Sequence, residues 1–309
     1  MTTTRIIHIT DLHLSNLDDI KKRELRGKRI LGYASWRYRR RHVHKRHQLD
    51  RIIKRIKEDE AQKILITGDL IHIGLLREYM EARDFLIELG KPEQIKVIPG
   101  NHDTYRMDCW ALAQEYYGRY LMCNNDSRGN TSQSYFPKTE HHEQISMTYA
   151  STASVSPWWG ANGTLGRIQM EKIRETLTRN KNNFQIFLLH HPPVPKMCSR
   201  RIALTDAAAL EDILNKTKPS ITLHGQLHKN LSTKNNYGRT YCTASASSIN
   251  HKDPASYRVF DITKKNNYWL VEMELKTLIN EEITTTNRER FIVNQDQSDI
   301  TVPEQEITN

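Results

Sequence analysis

Five short apolar runs most constrain what this chain can fold into. They are RIIHIT (5–10), KILITGDL (63–70), IKVIPGNHD (95–103), FQIFLLHHPP (184–193) and SITLHGQLHKN (220–230). Each is rich in Ile, Leu or Val, too short for a helix, and closes on Gly, Asp, His or Asn; each therefore reads as a buried strand running into a loop. Segments of helical spacing lie between them: 47–60, 76–90 with Gly90 as its stop signal, about 108–118, 164–180 with Thr164 as the expected cap, and 204–216 with another Thr cap. A hairpin is expected at 133–150, and shorter strands to about 275 and on to 293. Strand and helix alternate through most of the chain, which predicts a layered α/β fold. A single domain is expected over 1–293, with a frayed polar tail at 294–309.

Composition narrows the class. The chain has 309 residues, 37% hydrophobic and 27% charged, as suits a soluble globular protein. No apolar run approaches the roughly 18 residues of a membrane helix. The first residues, MTTTRIIHITDLHLS, have no long apolar core and read as mature protein rather than a signal peptide. Cys109, Cys123, Cys198 and Cys242 form no Cys-x-x-Cys pair, which points to reduced thiols and a cytoplasmic setting. Neither the dinucleotide fingerprint nor the P-loop pattern occurs.

The net charge of +10 is local. Residues 21–47 hold 12 of the 46 Lys and Arg but one of the 36 Asp and Glu, so the rest of the protein is close to neutral. This segment mixes Arg and Lys with Tyr33, Trp36 and Tyr38, and Ile30, Ala34 and Tyr38 recur every four residues. That is the pattern of a basic amphipathic helix resting on an anionic membrane. A solvated basic helix packed on the core is the plainer alternative. A nucleic-acid groove is disfavoured, because no second basic segment continues the track.

The chemistry-bearing residues share one placement. Asp11 and His13 follow the first strand, Asp69 the second, Asn101, His102 and Asp103 the third, His190 and His191 the fourth, and Gln226 and His228 the fifth. In open α/β sheets ligands bind beyond the carboxyl ends of strands. Carboxylate and imidazole without thiolate suit Mn²⁺, Fe²⁺ or Zn²⁺. Taken alone, each motif has a plainer reading as a cap, an Asx turn or an ordered loop; in order and at five strand ends they point to one site.

Asp11-Leu12-His13, Gly68-Asp69, Gly100-Asn101-His102-Asp103, His190 and Gly225-Gln226-Leu227-His228 together resemble the calcineurin-like metallophosphoesterase superfamily, over residues 5 to about 245. The resemblance implies a four-layer α/β/β/α sandwich with two divalent cations, Mn²⁺ first and Fe²⁺ or Zn²⁺ as alternatives. It implies Asp11, His13, Asp69 and His228 at the first cation, Asp69 as bridge, and Asn101, His190 and Gln226 at the second. It makes His102 a catalytic residue facing substrate, oriented by Asp103. Two such cations clamp the attacking and leaving oxygens of an in-line phosphoryl displacement and bring the pKa of bound water to about 7.

Gln226 departs from the family, which has histidine there. A neutral amide oxygen is a harder and weaker ligand than imidazole, so the second site is expected to be weaker or to favour Mn²⁺ or Mg²⁺. His224 is expected to pack or support rather than replace it. The basic insertion, with GANGTLG (160–166) and LTDAAALEDIL (204–214), resembles more distantly the chlamydial-type UDP-2,3-diacylglucosamine pyrophosphatases of lipid A synthesis. This implies a nucleotide-diphosphate-lipid substrate, cleaved to UMP and lipid X at the membrane surface, with Arg39, Arg40, Arg41, Trp36 and Tyr105 contacting it. The alternatives are a soluble cyclic-nucleotide or general phosphodiesterase, and a non-catalytic or nucleic-acid-binding relative.

Overall fold

A computed structural model describes residues 2–122 and 130–294 and the backbone of 299–301. The strands are β1 (Thr3–Ile9), β2 (Lys63–Ile66), β3 (Ile95–Val97), β4 (Lys138–His142), β5 (Ile145–Tyr149), β6 (Phe184–Leu188), β7 (Ile221–His224), β8 (Leu231–Asn235), β9 (Gly238–Cys242), β10 (Ser256–Lys264), β11 (Tyr268–Ile279), β12 (Glu282–Asn294) and β13 (Asp299–Thr301). The helices are α1 (Lys28–Tyr38), α2 (Arg46–Glu58), α3 (Leu76–Leu89), α4 (Cys109–Tyr117), α5 (Ser132–Tyr135), α6 (Arg167–Arg179) and α7 (Ala207–Thr217).

Among the described residues two mixed sheets form, ordered β13-β12-β11-β10-β1-β2-β3 and β4-β5-β6-β7-β9-β8. Strands β1, β2 and β3 are mutually parallel, as are β5, β6, β7 and β9. Parallel strands bring their carboxyl ends to one edge, which is where the motif loops emerge. The period-two alternation of side chains divides the core. Phe184, Ile186 and Leu188 of β6 join the main cluster with Ile7, Ile9 and Ile66 of the other sheet; Phe187 joins a second cluster with Ile173 and Leu177 of α6 and Leu210 and Leu214 of α7. Helix α2 buries Leu49, Ile52, Ile53 and Ile56 in the main cluster. The result is an α/β sandwich of two sheets with helices outside.

Two expected helix caps are corrected. Thr164 does not cap α6. The Asp206 carboxylate, reaching over from the start of α7, accepts from the amides of Leu165 and Gly166 and from the Thr164 hydroxyl. Asp206 itself, not Thr205, stands at the N-cap of α7, and Thr205 Oγ1 donates to Gly163 O. A long-range carboxylate thus serves a helix start that local spacing assigns to a threonine.

The basic segment is no continuous amphipathic helix, and its expected apolar stripe faces outward. Ile30 is 53% exposed and Tyr38 79%, while α1 buries Gly32 and Trp36. Gly32 selects this face: a Cβ there would collide with the Tyr105 hydroxyl and Ile73. The polar tail expected at 294–309 lies outside the described residues, apart from Asn294 and β13, which pairs with β12.

Candidate metal centre

The loops after β1, β2 and β7 hold an unusual backbone. Asp11 (φ 53°), His13 (46°), Asp69 (55°), Gln226 (69°) and His228 (52°) all take left-handed conformations. Such φ values are uncommon outside glycine and cluster where side chains are held for function. The intervening glycines permit the crowding. A Cβ on Gly100 would collide with the Asp69 carboxylate and amide, one on Gly68 with the Gly100 backbone, and one on Gly225 with Thr10 and Asp11.

The structure brings all seven expected ligands together. In the first half, His228 Nε2 lies 3.1 Å from Asp11 Oδ1, and the His13 and His228 ring centroids are 5.3 Å apart. In the second half, His190 Nε2 lies 2.8 Å from Gln226 Oε1 and 3.2 Å from Asn101 Oδ1. Asp69 lies near both: ligand atoms of Asp11, Asp69 and His190 fall within 4.8 Å of one another, and Asp69 Oδ2 is 3.5 Å from His190 Nε2. Gln226 does reach the site through its carbonyl oxygen. Its Nε2 donates to Ala161 O at 3.2 Å, which turns Oε1 inward.

These residues fit a pair of divalent cations. His13 Nδ1 faces Ile71 O, a carbonyl that can only accept, so Nδ1 carries the proton. The remaining nitrogen, Nε2, is buried with no hydrogen-bond partner, a costly arrangement unless a cation takes the lone pair. Two buried carboxylates side by side, Asp11 and Asp69, call for positive charge between them. Burial holds His13, His44 and His72 well below the usual histidine pKa, so they are neutral imidazoles. Burial also acts to lower His190, but the charge and hydrogen bond of Asp69 outweigh it and raise it to about 10. The oxygens around His190 therefore already favour positive charge at Nε2.

Asp103 corrects the sequence reading. Its carboxylate does not orient the His102 ring; it accepts from the amides of Asp69 (2.7 Å), Leu70 (3.0 Å) and Gly100 (2.8 Å). Asp103 thus staples the β2 and β3 loops to each other. Burial beside Asp69 pushes it up to about 7, and the amides pull the other way. The His102 ring is set instead by His72 O, which accepts from Nδ1 at 2.5 Å, and by Arg40 Nη1, 3.0 Å from Nε2. Burial lowers His102 to about 4, against the raising pull of Asp69. Tyr105 stacks on His102 with ring centroids 5.8 Å apart.

The other residues expected to touch substrate divide. Arg39, Arg40 and Tyr105 line a cavity of about 470 Å³ with Lys28, Trp158 and Arg201, and Asn101 and His102 lie on its wall. Arg41 instead pairs with Asp18 at 3.2 Å and lies over Trp36. Trp36 is core, 3% exposed, because α1 turns that face inward. Arg41 and Trp36 border a separate recess of about 380 Å³ that reaches His13 and His44.

Sequence reasoning missed His44 and His72. His72 stacks on His13 at 4.8 Å, and ring nitrogens of His13, His44 and His228 lie within 4.8 Å of one another. The signal for His44 was the run HVHKRH (42–47), which reads as charge when weighed only as part of a basic segment. His224 is buried in β7 against its own loop, Nδ1 meeting Gly225 O at 3.0 Å.

Comparison with known proteins adds to this geometry. A family model described as calcineurin-like phosphoesterase matches residues 4–230. A probable cyclic nucleotide phosphodiesterase of Ruthia magnifica subsp. Calyptogena magnifica is 26% identical over 186 residues, 59% of this chain and 68% of that protein. Among solved structures, a purple acid phosphatase from yellow lupin (Lupinus luteus) seeds superposes with TM-score 0.56 at 11% identity, covering all of this chain, which spans 57% of that one. GAP50, the anchor in the inner membrane complex of Plasmodium, gives TM-score 0.56 at 12% identity over 93% of this chain and 88% of its own. At those identities the structural likeness shows the fold.

Proposed function

Because the chain belongs to the calcineurin-like phosphoesterase family, a family of metal-dependent phosphoester hydrolases, we propose that it hydrolyses an anionic phosphodiester or diphosphate bearing an apolar substituent, an acylated UDP-sugar fitting best. In the finer form of this reading UDP-2,3-diacylglucosamine is split to UMP and lipid X. The observation that carries it is the wall of the 470 Å³ cavity, where Lys28, Arg39, Arg40 and Arg201 stand beside Leu31, Trp158 and Trp159, with Asn101 and His102 of the metal centre among the lining residues. Cations attract the phosphate oxygens, and broad aromatic faces accept an acyl chain or a base.

When bound, the two cations supply Lewis-acid stabilisation and an activated water. The protein's own residues do the rest. Asp11 and Asp69 would provide the negative charge that holds the cations, and the αL loops aim the imidazoles of His13 and His228. Arg40 brings a guanidinium to His102, so a phosphate oxygen arriving there meets a positive group and a ring nitrogen together. His102, neutral and with its Nδ1 proton held by His72 O, offers Nε2 to Arg40 and so fixes the guanidinium beside the site.

Exposed Ile30, Leu31, Tyr38, Trp158 and Trp159, on α1 and the 158–159 turn, support peripheral contact with an anionic bilayer. Among the described residues no helix is long and apolar enough to cross a membrane. Hydrolysis of UDP-2,3-diacylglucosamine in detergent, compared with bis(p-nitrophenyl) phosphate and cyclic AMP, tests the reading: the acylated substrate should be preferred, and the preference should collapse in Trp158→Ala/Trp159→Ala. A preference for cyclic AMP, unaffected by those changes, would favour the second reading, a cyclic-nucleotide phosphodiesterase, which the Ruthia magnifica relative's name supports.

A further inference from the structure

We propose that His44, carried by the basic insertion, is an additional ligand of the first cation, so that one half of the centre is rich in nitrogen and the other in oxygen. The inference rests on the two-cation reading and concerns a residue outside the family motifs.

The placement of His44 is built. Residues 43–45 are tied to the 245–249 loop: Lys45 N donates to Ser247 O at 2.8 Å, Ile249 N to Val43 O at 2.9 Å, and His44 bridges to Ser248. The ring lies 4.3 Å from that of His13 and 5.2 Å from that of His228, centroid to centroid. At 9% exposed it is all but withdrawn from solvent.

A hydrogen-bond chain fixes which nitrogen is free. It runs from His44 Nδ1 to Ser247 Oγ (2.9 Å), to Ser245 Oγ (3.1 Å), to Asp11 O (2.6 Å). The last member is a carbonyl and can only accept. Each hydroxyl must then donate toward it, and His44 Nδ1–H begins the chain. The lone pair of His44 is left on Nε2. In His13 the same logic, through Ile71 O, leaves the lone pair on Nε2, buried and without a partner. Neutral imidazoles whose other nitrogen is held by a hydroxyl or carbonyl are the usual form of metal-ligating histidine. Ring nitrogens of His13, His44 and His228 lie within 4.8 Å of one another, and lone pairs brought that close repel unless a cation lies among them.

The two halves then differ in kind. Around the first cation stand His13, His44 and His228 with the carboxylates of Asp11 and Asp69. Around the second stand Asn101 Oδ1 and Gln226 Oε1 with His190 and Asp69. The imidazole missing at position 226 is matched by one gained at position 44 on the opposite side. Imidazole favours Zn²⁺, Fe²⁺ or Co²⁺, and amide and carboxylate oxygen favour Mn²⁺ or Mg²⁺. The chain is therefore suited to a mixed pair.

The test is Co²⁺ binding by the full chain, followed by visible absorption and by competition with a chelator, in wild type, His44→Ala and His44→Asn. Asn keeps a donor for Ser247 and removes the distal nitrogen. The proposal expects two equivalents in wild type, a first-site affinity lowered by about tenfold or more in both variants, an altered Co²⁺ spectrum, and a second site unchanged. Added imidazole should restore the spectrum of His44→Ala. Two equivalents bound with unchanged affinity and spectrum in His44→Asn would overturn the role of His44 and leave the two-cation reading intact. Failure of the wild type to bind Co²⁺ or Mn²⁺ would overturn both. Thermal unfolding of the metal-free variants checks that the fold is kept; if His44→Ala unfolds, His44→Asn decides.

Discussion

Gln226 Oε1 sits 2.8 Å from His190 Nε2, held there by the two ends of one amide: its nitrogen is turned to Ala161 O and its oxygen to the metal centre. On the proposed two-cation reading, the departure from the family motif is an exchange of ligand type at a position that still faces the site. Gln226→His is expected to tighten the second cation, and Gln226→Ala to weaken it by about 10–100-fold, the scale of losing even an outer partner of a metal ligand. Manganese titration of the metal-free protein checks both; equal second-site affinity in all three proteins would contradict the assignment.

Asp103 acts on the loops and not on the His102 ring. Each backbone amide left without an acceptor costs about 1–3 kcal/mol, and three depend on this carboxylate. Asp103→Ala should lower the unfolding temperature and metal affinity together. Lost turnover with unchanged stability and metal content would instead mean that Asp103 serves the chemistry directly.

Arg40 and Arg41 are neighbours in sequence with opposite destinations, one at His102 and the other at Asp18. Arg40→Ala should cut kcat on bis(p-nitrophenyl) phosphate by about 10²-fold, the lower range for removing one positioned charge-stabilising donor. Arg41→Ala should change it little. Steady-state kinetics on the two variants separates them; equal losses would show that the whole basic run acts as a diffuse field.

Lys28 lines the mouth, donates to Ser156, and is lowered by burial to about 8. Below that pH it is charged and attracts an anionic substrate, so KM should rise as pH passes through about 8, and Lys28→Arg should remove the break. The stability effect has the opposite direction. Above 8 the folded chain has lost a proton that the unfolded chain keeps up to the ordinary lysine value of 10.5, so stability gains from this residue as pH rises across that interval. A KM flat from pH 7 to 9 would remove Lys28 from the mouth.

The gathering of the proposed ligands was legible in the sequence because each follows an apolar strand and the strands are parallel, so linear order became a common rim. The Gly68, Gly100 and Gly225 contacts were implicit in the same motifs. What the sequence hid depends on tertiary approach. Gly32, by admitting Tyr105 and Ile73, set α1 so that Trp36, expected to touch substrate, turned inward, while Ile30 and Tyr38 of the apolar stripe faced outward. Asp206 capped a helix forty residues away. His44 carried no local sign of burial, since it stands in a run of mostly basic residues, and only pairing with residues 247–249 brings it inward.

The most direct measurement of the central claim is metal content with activity for wild type and Asp69→Ala. Asp69 is the carboxylate within 4.8 Å of ligand atoms of both His190 and Asp11. After loading with Mn²⁺ and desalting, the wild type should keep two ions per chain and hydrolyse bis(p-nitrophenyl) phosphate, while Asp69→Ala should lose metal and at least about 10²-fold in turnover. Two ions retained with full activity in Asp69→Ala would contradict a bridged centre at these strand ends.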